Sequence, residues 1–195
     1  MFKSQSYSKW QAMLKQLIPD NCESRLTNLV LLIVGIFESK SVYLSVLARE
    51  IPIRAKKLSL TKRLERFLDN EAVEVEAWYH PWASWLLQSA SVSGKVHLVI
   101  DTTKVSAYCR LVMVSVAYQR RTLPIMWDWV EYPRGHCTTQ LQIDLLRRLY
   151  PLLPLGVQVS LVGDSEFGKS DLIDVLQAIK HWKCSIRIIS SWKTC

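Results

Sequence analysis

VHLVID (Val96–Asp101), RLVMVSVAYQ (Arg110–Gln119) and TLPIMWDWVE (Thr122–Glu131) follow one another with only short polar breaks between them. Each is a short run of apolar, largely β-branched or aromatic residues that alternates or stays continuously apolar, which is the pattern of a strand. The stretch Ser91–Lys95 (SVSGK) punctuates the chain before the first, and a turn is expected around Arg120 and Arg121 between the second and third. Helical spacing then returns in HCTTQLQIDLLRRLYPLLP, where Leu141, Leu145, Leu146 and Leu149 fall on one face and Pro151 closes the helix. VQVSLVGD (Val157–Asp164) reads as a fourth strand. SDLIDVLQAIKHWK (Ser170–Lys183) reads as a helix with Ser170 as its N-cap, and CSIRIIS (Cys184–Ser190) as a fifth strand. Residues 91–195 are therefore expected to form an α/β unit of order β-β-β-α-β-α-β.

Upstream, the period changes. From Lys9 to about Ala90 the apolar residues recur at helical spacing, with Pro19, Pro52 and Pro81 as breaks, so residues 1–90 are expected to be an all-α domain. Leu26–Phe37 is too short an apolar run to cross a bilayer, and no signal-peptide cleavage pattern follows it; a buried helix is the expectation. Further on, Leu60, Leu64, Phe67 and Leu68 make an amphipathic stripe. Between Arg49 and Arg66 stand seven basic residues (Arg49, Arg54, Lys56, Lys57, Lys62, Arg63 and Arg66) against two acidic ones. That excess suits phosphate contact, or else the solvated face of a helix pair. Trp78, Trp82 and Trp85 sit at core spacing on a helix, with base stacking as the alternative.

The whole chain points the same way. Its 195 residues carry 25 Lys and Arg against 17 Asp and Glu, a net charge of +8, which favours a polyanionic partner. With 49% hydrophobic residues it can bury a core. Five scattered cysteines without a CxxC pair argue against a disulfide framework or a zinc site and fit a reducing cytoplasm. No membrane association is expected.

The strand order is that of a ribonuclease H-like core. Asp101 ends the first strand and Asp164 the fourth, and ligands of open α/β sheets gather beyond the carboxyl ends of strands. If those strands are neighbours, the two carboxylates meet. Two such groups repel unless a cation lies between them, and Mg²⁺ or Mn²⁺ prefers hard oxygen ligands. The competing expectation is that Asp-Thr-Thr and Gly-Asp-Ser merely cap turns.

IDTTKV with Asp101, LVMVSVAYQRRTLPIMWDWVE with Pro124 and Trp127, PRGHCTT, LVGDSEFG with Asp164, Glu166 and Phe167, and SIRI with Arg187 together resemble the bacterial DDE transposases of insertion-sequence family four, in their Gly-Asp-x-Glu-Phe subgroup. LAREIP and TKRLERFLDNEAVE resemble that family's N-terminal DNA-binding region. The resemblance implies Asp101 and Asp164 as catalytic metal ligands and two Mg²⁺ or Mn²⁺ ions in a complete site. It also implies double-stranded transposon ends as partner, a dimer on DNA, and a nucleoid-associated cytoplasmic location. The family's third ligand, a Glu in a Tyr-x2-Arg-x3-Glu-x6-Lys helix after a β-rich insertion, has no counterpart here. The expectation is therefore a C-terminally truncated, catalytically incomplete copy, with a DNA-binding remnant that competes with intact transposase, or a pseudogene product, as alternatives. Glu166 belongs to the subgroup's ordinary second motif, although two positions beyond Asp164 it would share that residue's face if the strand continued. Ser165 replaces an Arg found in other members and removes a phosphate contact. His136 is a candidate DNA or metal contact or an ordinary loop histidine.

Overall fold

The computed structural model describes residues 2–18, 22–51, 53–130 and 137–178. The expected fifth strand at Cys184–Ser190, with Arg187, lies outside the described residues, as does His136. The chain divides into two compact units, Met1–Pro81 and Trp82–Cys195.

The first unit is helical: α1 (Phe2–Leu17), α2 (Glu23–Ser39), α3 (Leu44–Glu50), α4 (Lys57–Leu68) and the first part of α5 (Val75–Ala90). The spacing of apolar residues explains its two clusters. Leu14 and Ile18, at the end of α1 and just beyond it, bury against Leu26, Val30 and Val34 of α2. Leu31, on another face of α2, packs with Leu47, Ala48 and Ile51 around α3 and with Leu60 and Leu64 of α4. The chain turns by 89° between α2 and α3, with Lys40 in the left-handed region at φ 53° and its N–H donating to the Ile36 carbonyl. Gly35 makes the close approach possible, because a Cβ there would lie 3.1 Å from both Leu47 and Ile51.

Two expected core positions are not in the core. Leu68 is 55% exposed: it is the last residue of α4, which ends before a partner is reached. Trp85 is 48% exposed and stacks instead on Trp82, ring centroids 5.0 Å apart. Trp78 does join the first cluster and lies 6.1 Å from the Phe67 ring. Among the described residues, no single helix is long and apolar enough to cross a membrane.

The second unit is mixed α/β. Strands β1 (Lys95–Lys104), β2 (Arg110–Tyr118), β3 (Arg121–Val130) and β4 (Gln158–Val162) form one sheet of order β3-β2-β1-β4. The first three are antiparallel neighbours, and β4 runs parallel to β1. Strand alternation divides the sheet into two faces. Val96, Leu98 and Ile100 are buried on one, with Val116 opposite Leu98 and Val114 opposite Ile100 on β2; His97 and Asp101 are exposed on the other.

Helix α6 (Thr139–Leu149) opens on Thr138, whose hydroxyl accepts the Leu141 N–H at 3.3 Å. It buries Ile143, Leu145, Leu146 and Leu149. An ion pair of 2.6 Å from Arg148 to Asp128 ties α6 to β3. Helix α7 (Ser170–Ala178) follows, with Ser170 as its first helical residue and not its cap. The β2–β3 turn lies one position earlier than expected, at Gln119 and Arg120, both with positive φ.

Candidate metal site and basic face

Pairing between β1 and β4 aligns Lys95 with Gln158 and continues to Val99 with Val162. The same offset of 63 positions, shown also by the 2.5 Å contact between His97 Nδ1 and Ser160 Oγ, carries Asp101 onto Asp164. The two aspartates therefore stand at matched sequence positions beyond the last β1–β4 pair, and Asp101, still within β1, lies on the face that carries His97. Parallel strands lie about 4.8 Å apart in a sheet, and both aspartates follow the paired stretch toward the same end of the sheet. Both residues are exposed.

Their local settings differ from the expectation that each ends its strand. β1 runs on to Lys104, because β2 continues to pair with it through Lys104 and Arg110. β4 stops at Val162, and Asp164 lies in the turn that follows. That turn is a single 3-10 turn, Ser165–Phe167. Asp164 holds it: its Oδ1 accepts the Glu166 N–H at 2.9 Å, and its carbonyl accepts the Phe167 N–H at 3.2 Å. The turn-capping role is thus real, and it takes one carboxylate oxygen. Asp101 Oδ1 accepts the N–H of Thr102 at 2.8 Å.

Gly163 fixes the approach. A Cβ at this position would lie 2.9 Å from Ile100 Cγ2 and 3.0 Å from the Phe167 ring. Any other residue here would push the turn off β1. Phe167 is fully buried, so the turn is anchored on its far side too.

Glu166 has its own partner. Its Oε1 accepts the backbone N–H of Cys137 at 2.6 Å. Cys137 is buried, and its carbonyl in turn accepts from Gln142 Nε2 at 3.2 Å. Burial, and next the Glu166 carboxylate, push the Cys137 thiol up to about 11; Asp128 adds to this, while Gln142 and Lys169 oppose it. Sequence reasoning missed both Gly163 and the Cys137 contact. The run LVGD held a signal for the first, since a glycine at a strand end marks a close backbone approach; the second joins residues 29 positions apart and has none.

Two carboxylates at matched positions are a chemically suitable donor pair for a hard divalent cation. Among the described residues no group of three or more His, Cys, Asp and Glu could hold a metal ion.

The basic residues gather around α3 and α4. Arg49 is in the last turn of α3, Lys56 caps α4 and Lys57 begins it. Arg49, Arg54, Lys56, Lys57, Lys62 and Arg66 are exposed. Arg63 differs: half-buried, it donates from Nε to Asn28 Oδ1 of α2 at 2.7 Å. It was expected on the open surface, but its place beside Leu64 and Phe67 turns it toward α2. Arg66 Nε donates to the Lys62 backbone carbonyl at 3.2 Å, and at i, i+4 the two residues share one face of α4.

No protein-family model matches the chain, and no curated protein does.

Proposed function

We propose that this chain is a DNA-processing protein of the DDE transposase kind, with a ribonuclease H-like sheet that offers Asp101 and Asp164 to Mg²⁺ or Mn²⁺ and a helical unit that grips double-stranded DNA. The observation that carries this reading is the parallel pairing of β1 with β4 at an offset of 63 positions, which is also the separation of Asp101 and Asp164 in the sequence. The order β3-β2-β1-β4, with three antiparallel strands and a parallel fourth, supports the ribonuclease H-like assignment.

The protein's own groups have distinct tasks. Asp101 and Asp164 supply hard oxygen ligands from two strands, and Gly163 and Phe167 keep the second ligand's turn against the first strand. A divalent ion bound by such ligands favours phosphodiester chemistry by polarising a phosphoryl oxygen and activating a water or 3′-hydroxyl. Lys62 and Arg66, with Arg49, Arg54, Lys56 and Lys57, give a sequence-independent attraction for the phosphate backbone.

The test is Mn²⁺ titration of the full chain beside Asp101→Asn and Asp164→Asn, with duplex binding and plasmid nicking followed in parallel. Parent binding of Mn²⁺ that is lost in either variant, with duplex affinity retained, is the expected result. Equal Mn²⁺ affinity in all three proteins would sink the proposal. A second reading, binding without cleavage, is favoured by one observation: the basic face belongs wholly to the helical unit within Met1–Pro81. Tight duplex binding with no nicking at saturating Mn²⁺ would select it.

A further inference from the structure

Glu166 stands two positions after an acidic residue in a strand-end motif, where a third carboxylate ligand would be sought first. The turn geometry argues otherwise. Along a continuing strand, position i+2 returns to the same face. Along a 3-10 turn of three residues per revolution it points about 240° away. Ser165–Phe167 is such a turn, so Glu166 leaves the face of Asp164.

Its carboxylate arrives instead at the start of α6. Oε1 accepts the Cys137 N–H at 2.6 Å, a length typical of charge-assisted bonds. Its own N–H, in the opposite direction, donates to Asp164 Oδ1 at 2.9 Å. One residue thus bonds both to the carboxylate of Asp164 and to the residue just before the α6 cap. On the α6 side the attachment is firm: Gln142, fully buried, donates to the Cys137 carbonyl, and Thr138 caps the helix.

We propose that Glu166 is a positioning residue and not a metal ligand: it clamps the Asp164 turn to the beginning of α6 and so fixes the orientation in which Asp164 presents its carboxylate. The inference rests on the metal reading of Asp101 and Asp164 for its purpose, and on the two hydrogen bonds for its geometry.

Glu166→Gln keeps an acceptor oxygen for the Cys137 amide but is a poor ligand for a hard cation. Glu166→Ala removes both. The full chain and these variants would be compared in Mn²⁺ affinity and in the alkylation rate of Cys137, followed by peptide mass. If Glu166 is a clamp, Glu166→Ala weakens Mn²⁺ binding by about tenfold, the usual cost of losing a group that supports a ligand. It also exposes Cys137 to alkylation about tenfold faster, as expected for loss of a charged hydrogen bond. Glu166→Gln stays close to the parent in Mn²⁺ affinity, and also in alkylation once the rates are compared at equal thiolate fraction, since the lost charge itself eases ionisation of the thiol.

If Glu166→Gln loses Mn²⁺ affinity as fully as Glu166→Ala, Glu166 is a ligand and the proposal fails. If Cys137 is as protected in Glu166→Ala as in the parent, the clamp does not exist. Absence of Mn²⁺ binding by the parent would instead overturn the metal reading, and the alkylation rates, which need no metal, would still decide the clamp.

Discussion

Asp101 and Asp164 share the 63-residue offset of every pair between β1 and β4, from Lys95 with Gln158 to Val99 with Val162. The match depends on two conditions at once. The strands must be parallel neighbours in this register, and the residue between β4 and Asp164 must be small enough for the chain to stay close to Ile100.

Gly163 meets the second condition, and Gly163→Ala tests it. The added Cβ would sit 2.9 Å from Ile100 and 3.0 Å from Phe167, both buried. Overpacking of this kind costs about 1–3 kcal/mol. The expected outcome is a clear fall in thermal midpoint together with weaker Mn²⁺ binding. A variant that melts with the parent would show that the turn has room to spare.

On α4, the exposed cations and the half-buried one should separate. Lys62→Ala with Arg66→Ala is expected to weaken duplex binding and to lower the slope of log affinity against log salt by about 2, roughly one for each lost phosphate contact. Arg63→Ala, which breaks the 2.7 Å bond to Asn28, is expected to cost about 1–2 kcal/mol of stability and to leave that slope nearly unchanged. Binding at several salt concentrations and urea unfolding read the two effects. A salt slope that falls as much for Arg63→Ala as for one of its neighbours would contradict the division.

Much of this was legible beforehand. The short, largely apolar and β-branched run Val96–Ile100 announced β1, and the leucines of α6 announced its buried face, because burial of one side imprints a period on local sequence. The adjacency of β1 and β4 was only conditional. Which strands pair is decided by contacts between distant segments, and no local period encodes it. The ends of elements were least legible: β1 outlasts Asp101 because β2 keeps pairing with it, and Leu68 fits a stripe whose helix stops too soon. Arg63 and Glu166 were readable as charges, whereas their partners, Asn28 and the Cys137 amide, lie far off in sequence.

Cys137 gives a pH dependence with a definite sign. Its thiol rises from the usual value of 9.0 to about 11 in the folded protein. Folding thus favours the protonated form, and the associated stability is fully present below pH 9. Between pH 9 and about 11 the unfolded chain releases this proton more readily than the folded one, and the contribution is lost. Thermal midpoints of the parent should therefore fall more steeply across this window than those of Cys137→Ala. Parallel curves for the two proteins would show that the thiol is not held neutral by the fold.

The β2–β3 turn offers a stabilising change. Gln119 and Arg120 adopt φ of 46° and 66° between the paired residues Tyr118 and Arg121. Two consecutive positive angles suit Asn-Gly in a two-residue hairpin turn, and a side chain in this region costs about 1–2 kcal/mol relative to glycine. Gln119→Asn with Arg120→Gly should raise the unfolding midpoint in urea. No gain, or a loss, would mean that the long side chains compensate for their backbone.

The parallel pairing of β1 with β4 also has a history in time. β1, β2 and β3 close through nearby residues, whereas β4 must return across 63 positions, and such closures form late in folding. Until β4 docks, β1 is an open edge with unpaired backbone groups, the part of a young sheet most prone to pair with another chain. A ribosome-bound chain that has not yet released its fourth strand therefore carries an adhesive edge where the finished protein has β4.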